Sequence, residues 1–336
     1  MLYAPVVMYV AWLGLRFRGP TVFTAANPAF PAGGVVGESK ADILDALLAG
    51  GAPVACFRRL PASLTTTERW DRCLEFVRLK GFPVVLKPDV GERGRGVCIA
   101  HNLEALRRGL AGANRDWLVQ EYVPGPEFGL FYCRYPDERR GRLLAITVKR
   151  MPAVEGDGRR TLKQLILDDE RARCIARVYL GANADRLEKV PAAGERVTLV
   201  DIGSHCRGAI FLDGDRLRTD RLEEAVEAMA RSVPGFSFGR FDIRVPSATA
   251  LRRGQELRIL ELNGVTSECT NIYDPSHGVV DAWRVLFRQW RIAFEIGNAH
   301  RRAGARAAKP SELIAMIGRA HDRRVPRGPT CTGTRP

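Results

Sequence analysis

The chain has 336 residues, 46% hydrophobic and 27% charged, a composition typical of globular proteins with a substantial buried core rather than of disordered chains. The formal net charge is +14. Residues 284–336 carry 12 Lys and Arg against 3 Asp and Glu, an excess of 9 that leaves +5 for the rest. The basicity is thus mainly C-terminal, and charge alone does not choose between nucleic acid, anionic lipid and water as its partner.

The eight cysteines do not follow a metal-binding spacing. They lie at positions 56, 73, 98, 133, 174, 206, 269 and 331, with no C-x-x-C pair and no Cys/His cluster at metal-ligand spacing. Scattered cysteines in mostly apolar runs indicate reduced thiols in a cytoplasmic protein, and they argue against a zinc site.

The N-terminal segment, residues 1–37, begins with an apolar stretch. Residues 2–15 are mostly apolar, but 14 residues are too few to span a bilayer, and no basic region precedes them as in a signal peptide. We expect a packed helix. The alternative is a helix in the membrane interface anchored by Tyr9 and Trp12. A loop rich in Pro and Gly follows at 19–37.

Two helices are predicted next. Ser39 can cap one that Gly50 and Gly51 end, and Thr65 with Glu68 three residues later forms a capping box for the other. Lys40 falls in the first turn of the former helix, where the helix dipole disfavours a cation. This lysine is therefore either solvated or placed to meet a phosphate.

Residues 82–97 combine a strand, a lysine and a glycine-rich turn. A β-type run ends at Lys87, and Gly91, Gly94 and Gly96 follow. Glycines allow backbone N–H groups to approach an anion, so this combination suits a polyphosphate. The turn matches neither common nucleotide-loop pattern, and an ordinary hairpin explains it equally well.

The middle of the chain predicts short elements. A Pro- and Gly-rich connection at 122–126 is expected to join two lobes. The elements around it are a helix over 102–110, strands over 117–121, 127–134, 143–149, 197–202 and 209–212, a helix from about Thr161, and a helix over 222–233.

Two late strands carry the acidic residues expected to do chemistry. They cover 239–245, GRFDIRV, and 257–263, LRILELN. Asp242 lies on the first, while Glu261 and Asn263 lie two apart on the second and so face the same way. Such oxygen ligands suit Mg²⁺, which takes carboxylates together with substrate phosphates. A solvated sheet face is the alternative. A helix is expected from about Gly278 to His300.

Five motifs in this order resemble the ATP-grasp family, especially the branch that holds D-alanine:D-alanine ligase and the cyanophycin-synthetase-type ligases. They are VLKP with the glycine turn, QEYVPGPE, a following strand lysine, GRFD and ELN. The segment GDGRRTLKQLI is similar to one in the cyanophycin-synthetase type. The resemblance covers about Lys40 to Asp274.

The resemblance implies an α+β fold in which two α+β lobes clamp a nucleotide between antiparallel sheets, with a truncated N-terminal region and a helical C-terminus. The implied ATP-grasp domain covers 38–295, with a nucleotide lobe at about 80–123, a hinge at about 121–127 and a catalytic lobe at about 127–275. Residues 296–336 are expected to form a basic, partly disordered tail.

The resemblance also implies roles for individual residues. Asp242, Glu261 and Asn263 match the magnesium ligands, and Arg240 and Lys149 match the catalytic cations that meet the phosphates. For the nucleotide, Lys40 and Lys87 match phosphate-binding lysines, and Gly94 and Gly96 lie in the glycine turn. Glu121 and Val123 match the hinge residues that bind adenine, and Glu127 matches the acid that binds the ribose.

The implied activity is an ATP- and Mg²⁺-dependent ligase that activates a small-molecule carboxylate as an acyl phosphate and joins it to an amine. Two alternatives stay open: a kinase of a small hydroxyl substrate, and a non-catalytic nucleotide-binding module. Specific nucleic-acid binding is not expected. Contact with a membrane surface through the N-terminal segment and the basic tail is a further option for this cytoplasmic protein.

The chain departs from the family at its N-terminus. The related ligases carry a substantial domain there that helps to bind the first substrate, whereas residues 1–38 alone precede the Ser39 helix. The carboxylate is then held by loop 19–37, by a second copy in a homodimer, or by another protein. Arg207 is either a carboxylate or phosphate clamp or a surface arginine, and Cys206 beside it is not expected to be a nucleophile.

Overall fold

The computed structural model describes residues 3–91, 94–111, 115–203 and 207–322. The chain forms two compact units, each built from separated segments. Of the described residues, unit 1 comprises 3–55, Val123–Lys149 and 211–322, and unit 2 comprises Cys56–Tyr122 and Arg150–Ile210. The domain limits predicted at 37/38 and 295/296 both fall inside unit 1.

The chain combines helices with antiparallel sheets, as the predicted α+β class requires. The strands are β1 (Phe57–Leu60), β2 (Val84–Pro88), β3 (Cys98–Ala100), β4 (Trp117–Glu121), β5 (Glu127–Cys133), β6 (Arg142–Arg150), β7 (Ala153–Glu155), β8 (Arg196–Thr198), β9 (Ile210–Asp213), β10 (Phe238–Arg244) and β11 (Arg258–Asn263). The helices are α1 (Ala4–Arg16), α2 (Lys40–Ala49), α3 (Thr66–Lys80), α4 (Leu103–Leu110), α5 (Leu162–Asp168), α6 (Glu170–Arg173), α7 (Ala176–Ala182), α8 (Asp220–Arg231), α9 (Ala248–Arg252), α10 (Val279–Arg302) and α11 (Pro310–Asp322).

Unit 1 is organised around a five-stranded sheet in the order β11-β10-β5-β6-β9. The pairings of β10 with β11, β10 with β5 and β5 with β6 are antiparallel. Helix α1 packs on α10 in a core that includes Leu13, Phe131, Phe238 and Phe294. The expectation of a packed N-terminal helix is therefore confirmed.

Unit 2 contains a four-stranded antiparallel sheet in the order β1-β4-β2-β3. Helices α3 and α4 supply Cys73, Phe76 and Leu106 to its core. The predicted capping box of α3 is present, because the Thr65 side chain accepts from the Glu68 backbone and the Glu68 side chain accepts from the Thr65 backbone. A two-stranded sheet, β7 with β8, packs with α5–α7 in a second core.

Several expectations are corrected. A further helix that was not predicted, α11, covers Pro310–Asp322 within the expected tail. Residues 323–336 of that tail lie outside the described residues. The strand expected at 197–202 is shorter and is β8. Cys98 is disulfide-bonded, so the expectation of reduced thiols throughout is wrong at that position. Within the described residues, the helices are too short or too polar to cross a membrane.

Candidate functional site

Alternation along β10 and β11 gathers the predicted metal ligands on one face of the unit 1 sheet. Asp242 is directly opposite Glu261, and Arg240 is directly opposite Asn263. Residues directly opposite in an antiparallel pair point to the same side of the sheet. Asn263 Nδ2 donates to Asp242 Oδ2 at 3.2 Å, so the trio of Asp242, Glu261 and Asn263 is brought together as predicted.

Lys149 reaches the same acidic cluster from β6. Glu127 on β5 is paired in register with Lys149 on one side and with Arg244 on the other. Lys149 Nζ lies 2.9 Å from Glu127 Oε1 and 3.0 Å from Asp242 Oδ1. The lysine therefore links the carboxylates of two neighbouring strands, and all three side chains are buried.

Arg240 holds the other side of Asp242. Its Nε and Nη2 donate to the two carboxylate oxygens of Asp242 at 2.9 and 3.2 Å, and its Nη1 donates to the Glu268 carbonyl at 3.0 Å. A forked guanidinium in this geometry has little rotational freedom. The arginine is thus fixed above the sheet by protein contacts.

Gly129 makes room for Arg240. It lies directly opposite Asp242 on β5, and a Cβ added there would be 3.1 Å from Arg240 Cδ and 3.5 Å from Asp242 Oδ1. Sequence reasoning missed this residue. Its position could have indicated this role, because a glycine in the interior of a strand often marks the close approach of another group.

The charges of the cluster support one another. Burial by itself would lower the pKa of Lys149, but the carboxylates of Asp242 and Glu127 outweigh burial and raise it. Burial would raise the pKa of Asp242, but Arg240 and Lys149 hold it well below its usual range. Lys149 and Asp242 are therefore both ionised at neutral pH, as a charged site requires.

The oxygen set fits a hard cation in its chemistry. Two carboxylates and an amide are the ligand types that Mg²⁺ prefers. The four hydrogen-bonding positions of the Asp242 carboxylate are occupied by Lys149, Arg240 twice and Asn263, so a cation at Asp242 requires one donor to leave. Across the described ranges, three or more His, Cys, Asp and Glu side chains are nowhere gathered as for a metal. The predicted set has two such side chains, with Asn263 as the third ligand.

Lys40 meets Glu261, the more exposed carboxylate. Ser39 caps α2 by accepting from the Asp42 backbone at 3.0 Å, which fixes Lys40 at the first helical position. Lys40 Nζ lies 3.5 Å from Glu261 Oε1, and their side chains are 12% and 31% exposed. The sequence predicted that Lys40 is either solvated or placed to meet a phosphate, and neither alternative included this contact with an acid of the predicted metal set.

Glu127 and Val123 are engaged by Arg244. The guanidinium of Arg244 lies 3.2 Å from Glu127 Oε2 and donates to the Val123 carbonyl at 2.8 Å. Glu127 is thus shared between Arg244 and Lys149. Its predicted contact with ribose, and that of Val123 with adenine, stay predictions.

Unit 2 carries the remaining predicted nucleotide residues. Lys87 on β2 is buried and donates to Gln120 Oε1 on β4 at 2.8 Å. Gly94 and Gly96 have φ values of 69° and 74°, a backbone conformation that favours glycine. The backbone of the turn therefore favours glycine at these two positions. Glu92 and Arg93, which precede Gly94, lie outside the described residues.

Glu121 and Arg207 anchor parts of unit 2. Glu121 Oε1 accepts from the Cys56 backbone at 2.8 Å, and its Oε2 lies 3.6 Å from Lys80 Nζ. Arg207 donates to the carbonyls of Gly94 and Val97 at 3.4 and 3.2 Å, and burial lowers its pKa. Arg207 is thus not a surface arginine but a support of the glycine turn. His205 and Cys206 lie outside the described residues.

Comparisons with known proteins give structural likenesses only. No protein-family model matches the chain, and no curated protein matches it. A bifunctional glutathione synthetase from Pasteurella multocida matches at 17% identity and a TM-score of 0.39, over 74% of this chain and 36% of its own. D-alanine–D-alanine ligase from Bacillus anthracis complexed with ATP matches at 14% and 0.44, over 79% and 67%.

A third match is D-cycloserine synthetase, at 12% identity and a TM-score of 0.43 over 75% of this chain and 70% of its own. By their names, these three proteins are two synthetases and a ligase. Because every one of these TM-scores is below 0.5, the functional assignment rests on the residues of this chain.

Proposed function

We propose that the chain is an ATP- and Mg²⁺-dependent ligase that activates a small carboxylate as an acyl phosphate and joins it to an amine, releasing ADP and phosphate. The observation that carries this proposal is the placement of Asp242, Glu261 and Asn263 on one sheet face together with Arg240 and Lys149. Oxygen ligands and fixed cations are the two requirements of a phosphoryl-transfer site.

The cations match the charge that such a reaction develops. ATP brings roughly four negative charges, and the transferring phosphoryl spreads charge over its equatorial oxygens. Positioned cations in a buried site stabilise this charge without reorganising during the reaction. Arg240 and Lys149 are held in this way by Asp242, and in the proposal their remaining N–H groups donate to phosphate oxygens when the nucleotide is bound.

Magnesium would be held by Asp242, Glu261 and the side-chain oxygen of Asn263. When bound, the ion neutralises charge on the phosphates and orients the terminal phosphoryl. Asn263 now donates to Asp242 through Nδ2, and a turn of this amide would present its oxygen instead. Lys40 would release Glu261 and bind a phosphate, the role that the resemblance implies for it.

The resemblance assigns the remaining nucleotide contacts. Lys87 would bind phosphate, and its ammonium group is positioned by the hydrogen bond that it donates to Gln120 at 2.8 Å. The turn with Gly94 and Gly96 would offer backbone N–H groups to the phosphates. Glu121 and Val123 would bind adenine through the backbone, since the Glu121 side chain is already engaged.

The reaction needs no covalent bond to the protein. A substrate carboxylate oxygen attacks the terminal phosphorus of ATP, the bond from that phosphorus to the bridging oxygen breaks, and ADP leaves. The amine nitrogen then attacks the acyl carbon and displaces phosphate. Arg240 would stabilise the negative charge in both steps, because its fork suits phosphoryl and carboxyl oxygens alike.

The test is a screen for ADP release with amino acids and small dicarboxylates, with and without amine acceptors. ADP release that requires ATP, Mg²⁺, an acid and an amine supports the proposal. AMP as product contradicts it, and a stable phosphorylated product formed without an amine favours the kinase alternative. Homodimer formation and membrane-surface contact stay predictions.

A variant pair ties the activity to the proposed metal ligands. Glu261→Gln is expected to lower turnover at least tenfold, since loss of a charged metal ligand costs on the order of 1.4 kcal/mol or more. Glu224→Gln is the control, because Glu224 is an exposed acid of the same unit that lies 3.8 Å from Arg140. Equal, wild-type turnover in both variants would show that Glu261 does not hold the metal.

A further inference from the structure

A second group of cations in unit 1 surrounds a pocket of about 380 Å³. Its lining includes Arg134, Arg139, Arg231, Ser237 and His300. We propose that this pocket binds the phosphate group of a small phosphate ester. The inference does not rest on the proposed ligase activity.

The pocket is remote from the acidic face of the sheet. Arg134 directly follows β5 and Ser237 directly precedes β10, and the Arg134 N–H donates to the Ser237 carbonyl at 2.8 Å. Gly129 and Asp242 lie five residues further along these two strands, which is roughly 17 Å at the rise of a strand. A ligand here is therefore separate from one at Asp242.

A carboxylate behind the lining arginines, that of Glu227, already has its hydrogen-bond donors. Glu227 accepts from Tyr132 Oη at 2.7 Å, from the Gly141 N–H at 2.8 Å and from Arg231 Nε at 2.6 Å. Burial would raise the pKa of Glu227, but these hydrogen bonds outweigh it and lower the pKa. Glu227 therefore stays ionised and orients Arg231 along the wall.

Two further arginines keep positive charge available. Arg134 Nη1 lies 3.9 Å from Glu227, too far for a hydrogen bond, although its side chain is only 19% exposed. The acidic residue of the wall, Glu138, is paired through Oε1 with Arg142 at 2.6 Å, while its Oε2 is buried without a hydrogen-bond partner. Within residues 3–91, 94–111, 115–203 and 207–322, Arg139 forms no ion pair with an Asp or Glu side chain. The pocket is thus lined by guanidinium groups with donors to spare.

His300 and Ser237 supply neutral and titratable donors. Ser237 Oγ and His300 Nε2 are 3.1 Å apart, and burial together with Arg134 lowers the pKa of His300. The Asn27 side-chain oxygen accepts from the N–H groups of Ser237 and Phe238 at 2.9 and 2.8 Å. This wall is therefore rigid, and an anion in the pocket would raise the pKa of His300.

The chemistry of the lining selects the ligand class. Guanidinium forks match the oxygens of phosphate, and several of them facing one pocket favour a dianion over a single carboxylate. Pockets for small molecules span about 300–1,000 Å³, so this one has room for an organic group besides the phosphate. A cation is excluded by the surrounding arginines.

The test is calorimetric titration of the full chain with inorganic phosphate and with ribose 5-phosphate, against sodium chloride at matched ionic strength. Binding of both phosphates is expected, with the ester tighter. The double variant Arg134→Gln with Arg139→Gln should weaken both at least about tenfold, because each removes charged hydrogen bonds. Arg253→Gln, at an exposed arginine of the same unit, is the control and should bind as the wild type does.

Two additional readouts keep the outcome decisive. The NMR signals of the His300 ring, assigned with His300→Gln, should shift with phosphate and titrate at higher pH, which places the ligand here rather than at Asp242. Arg139→Gln alone, at an exposed position, and Arg134→Lys guard against loss of folding, which circular dichroism checks. No binding by the wild type, or equal binding by the double variant and the control, overturns the proposal. An ester no tighter than inorganic phosphate overturns the assignment to an ester.

Discussion

Lys40 Nζ lies 3.5 Å from Glu261 Oε1 although 221 positions separate the two residues in the chain. The lysine begins α2 and the glutamate lies on β11, and α2 and β11 are in contact. The only carboxylate of the predicted metal set with appreciable exposure thus carries its own counter-ion. We expect Lys40 to compete with Mg²⁺ for Glu261 and to bind phosphate once the metal has replaced it.

The variant Lys40→Met tests this exchange. Removing a cation beside Glu261 should strengthen Mg²⁺ binding in the absence of nucleotide and raise the KM for ATP, each by several-fold. Stability should change by less than about 1 kcal/mol, because partly exposed ion pairs contribute little. Calorimetric Mg²⁺ titration and steady-state kinetics measure the two effects. Lys40→Arg is the control that keeps the charge, and unchanged Mg²⁺ affinity and KM in Lys40→Met would refute the exchange.

Part of this site could be predicted from the sequence because it depends on local rules. Alternation along a strand placed Glu261 and Asn263 on one face, and the antiparallel pairing of β10 with β11 then brought Asp242 beside them. The capping box at Thr65 and the strands at GRFDIRV and LRILELN follow from equally local patterns.

The rest depends on registers and packing that no local pattern contains. The contact of Lys149 with Asp242 requires the register of β6 on β5 and of β5 on β10, and the β5–β6 register shifts between Phe131 and Tyr132. The edge strand β1, FRRL, has two arginines at its centre and lacks the apolar alternation that predicts strands. Each of the two units is assembled from separated segments of the chain. A prediction that divides the sequence into continuous domains therefore draws other boundaries.

Gly129→Val is expected to displace Arg240. The Cβ would lie 3.1 Å from Arg240 Cδ, and the two methyl groups of valine extend beyond that Cβ, so we expect the guanidinium to be displaced from its forked contact with Asp242. We expect turnover to fall at least tenfold, since misplacing one positioned group by about 1 Å has effects of this size or more. Gly181→Ala is the control, because a Cβ at that helical position meets no atom within 4 Å. It should keep full activity and gain up to about 1 kcal/mol of stability. Wild-type turnover in Gly129→Val would show that the position of Arg240 is unimportant.

Lys149→Met is expected to destabilise unit 1 severely. It leaves Asp242 and Glu127 buried without the ammonium that lies 3.0 and 2.9 Å from them. Removing one partner of a buried ion pair typically costs about 3–5 kcal/mol, and urea denaturation measures the change. Lys163→Met, at an exposed helical position, should be close to neutral. If Lys149→Met lost less than about 1 kcal/mol, the buried pairs would not stabilise the fold as described.

Asp242→Asn is expected to change how stability depends on pH at both ends of the range. The folded pKa of Asp242 lies below its ordinary value of 3.8, so its contribution is present above that value and is lost as pH falls through the folded pKa. The folded pKa of Lys149 lies above its ordinary value of 10.5, so its contribution is present below that value and is lost as pH rises through the folded pKa.

Urea unfolding of the wild type and Asp242→Asn across the pH range measures both effects. The variant should be less stable near neutral pH, the difference should shrink in acid, and its loss of stability above the ordinary lysine pKa should be weaker, because Lys149 has then lost one of its two carboxylates. Asp71→Asn, at an exposed position beyond the first turn of α3, should follow the wild type throughout. A constant difference between Asp242→Asn and the wild type at every pH would show that Asp242 acts through packing and not through its charge.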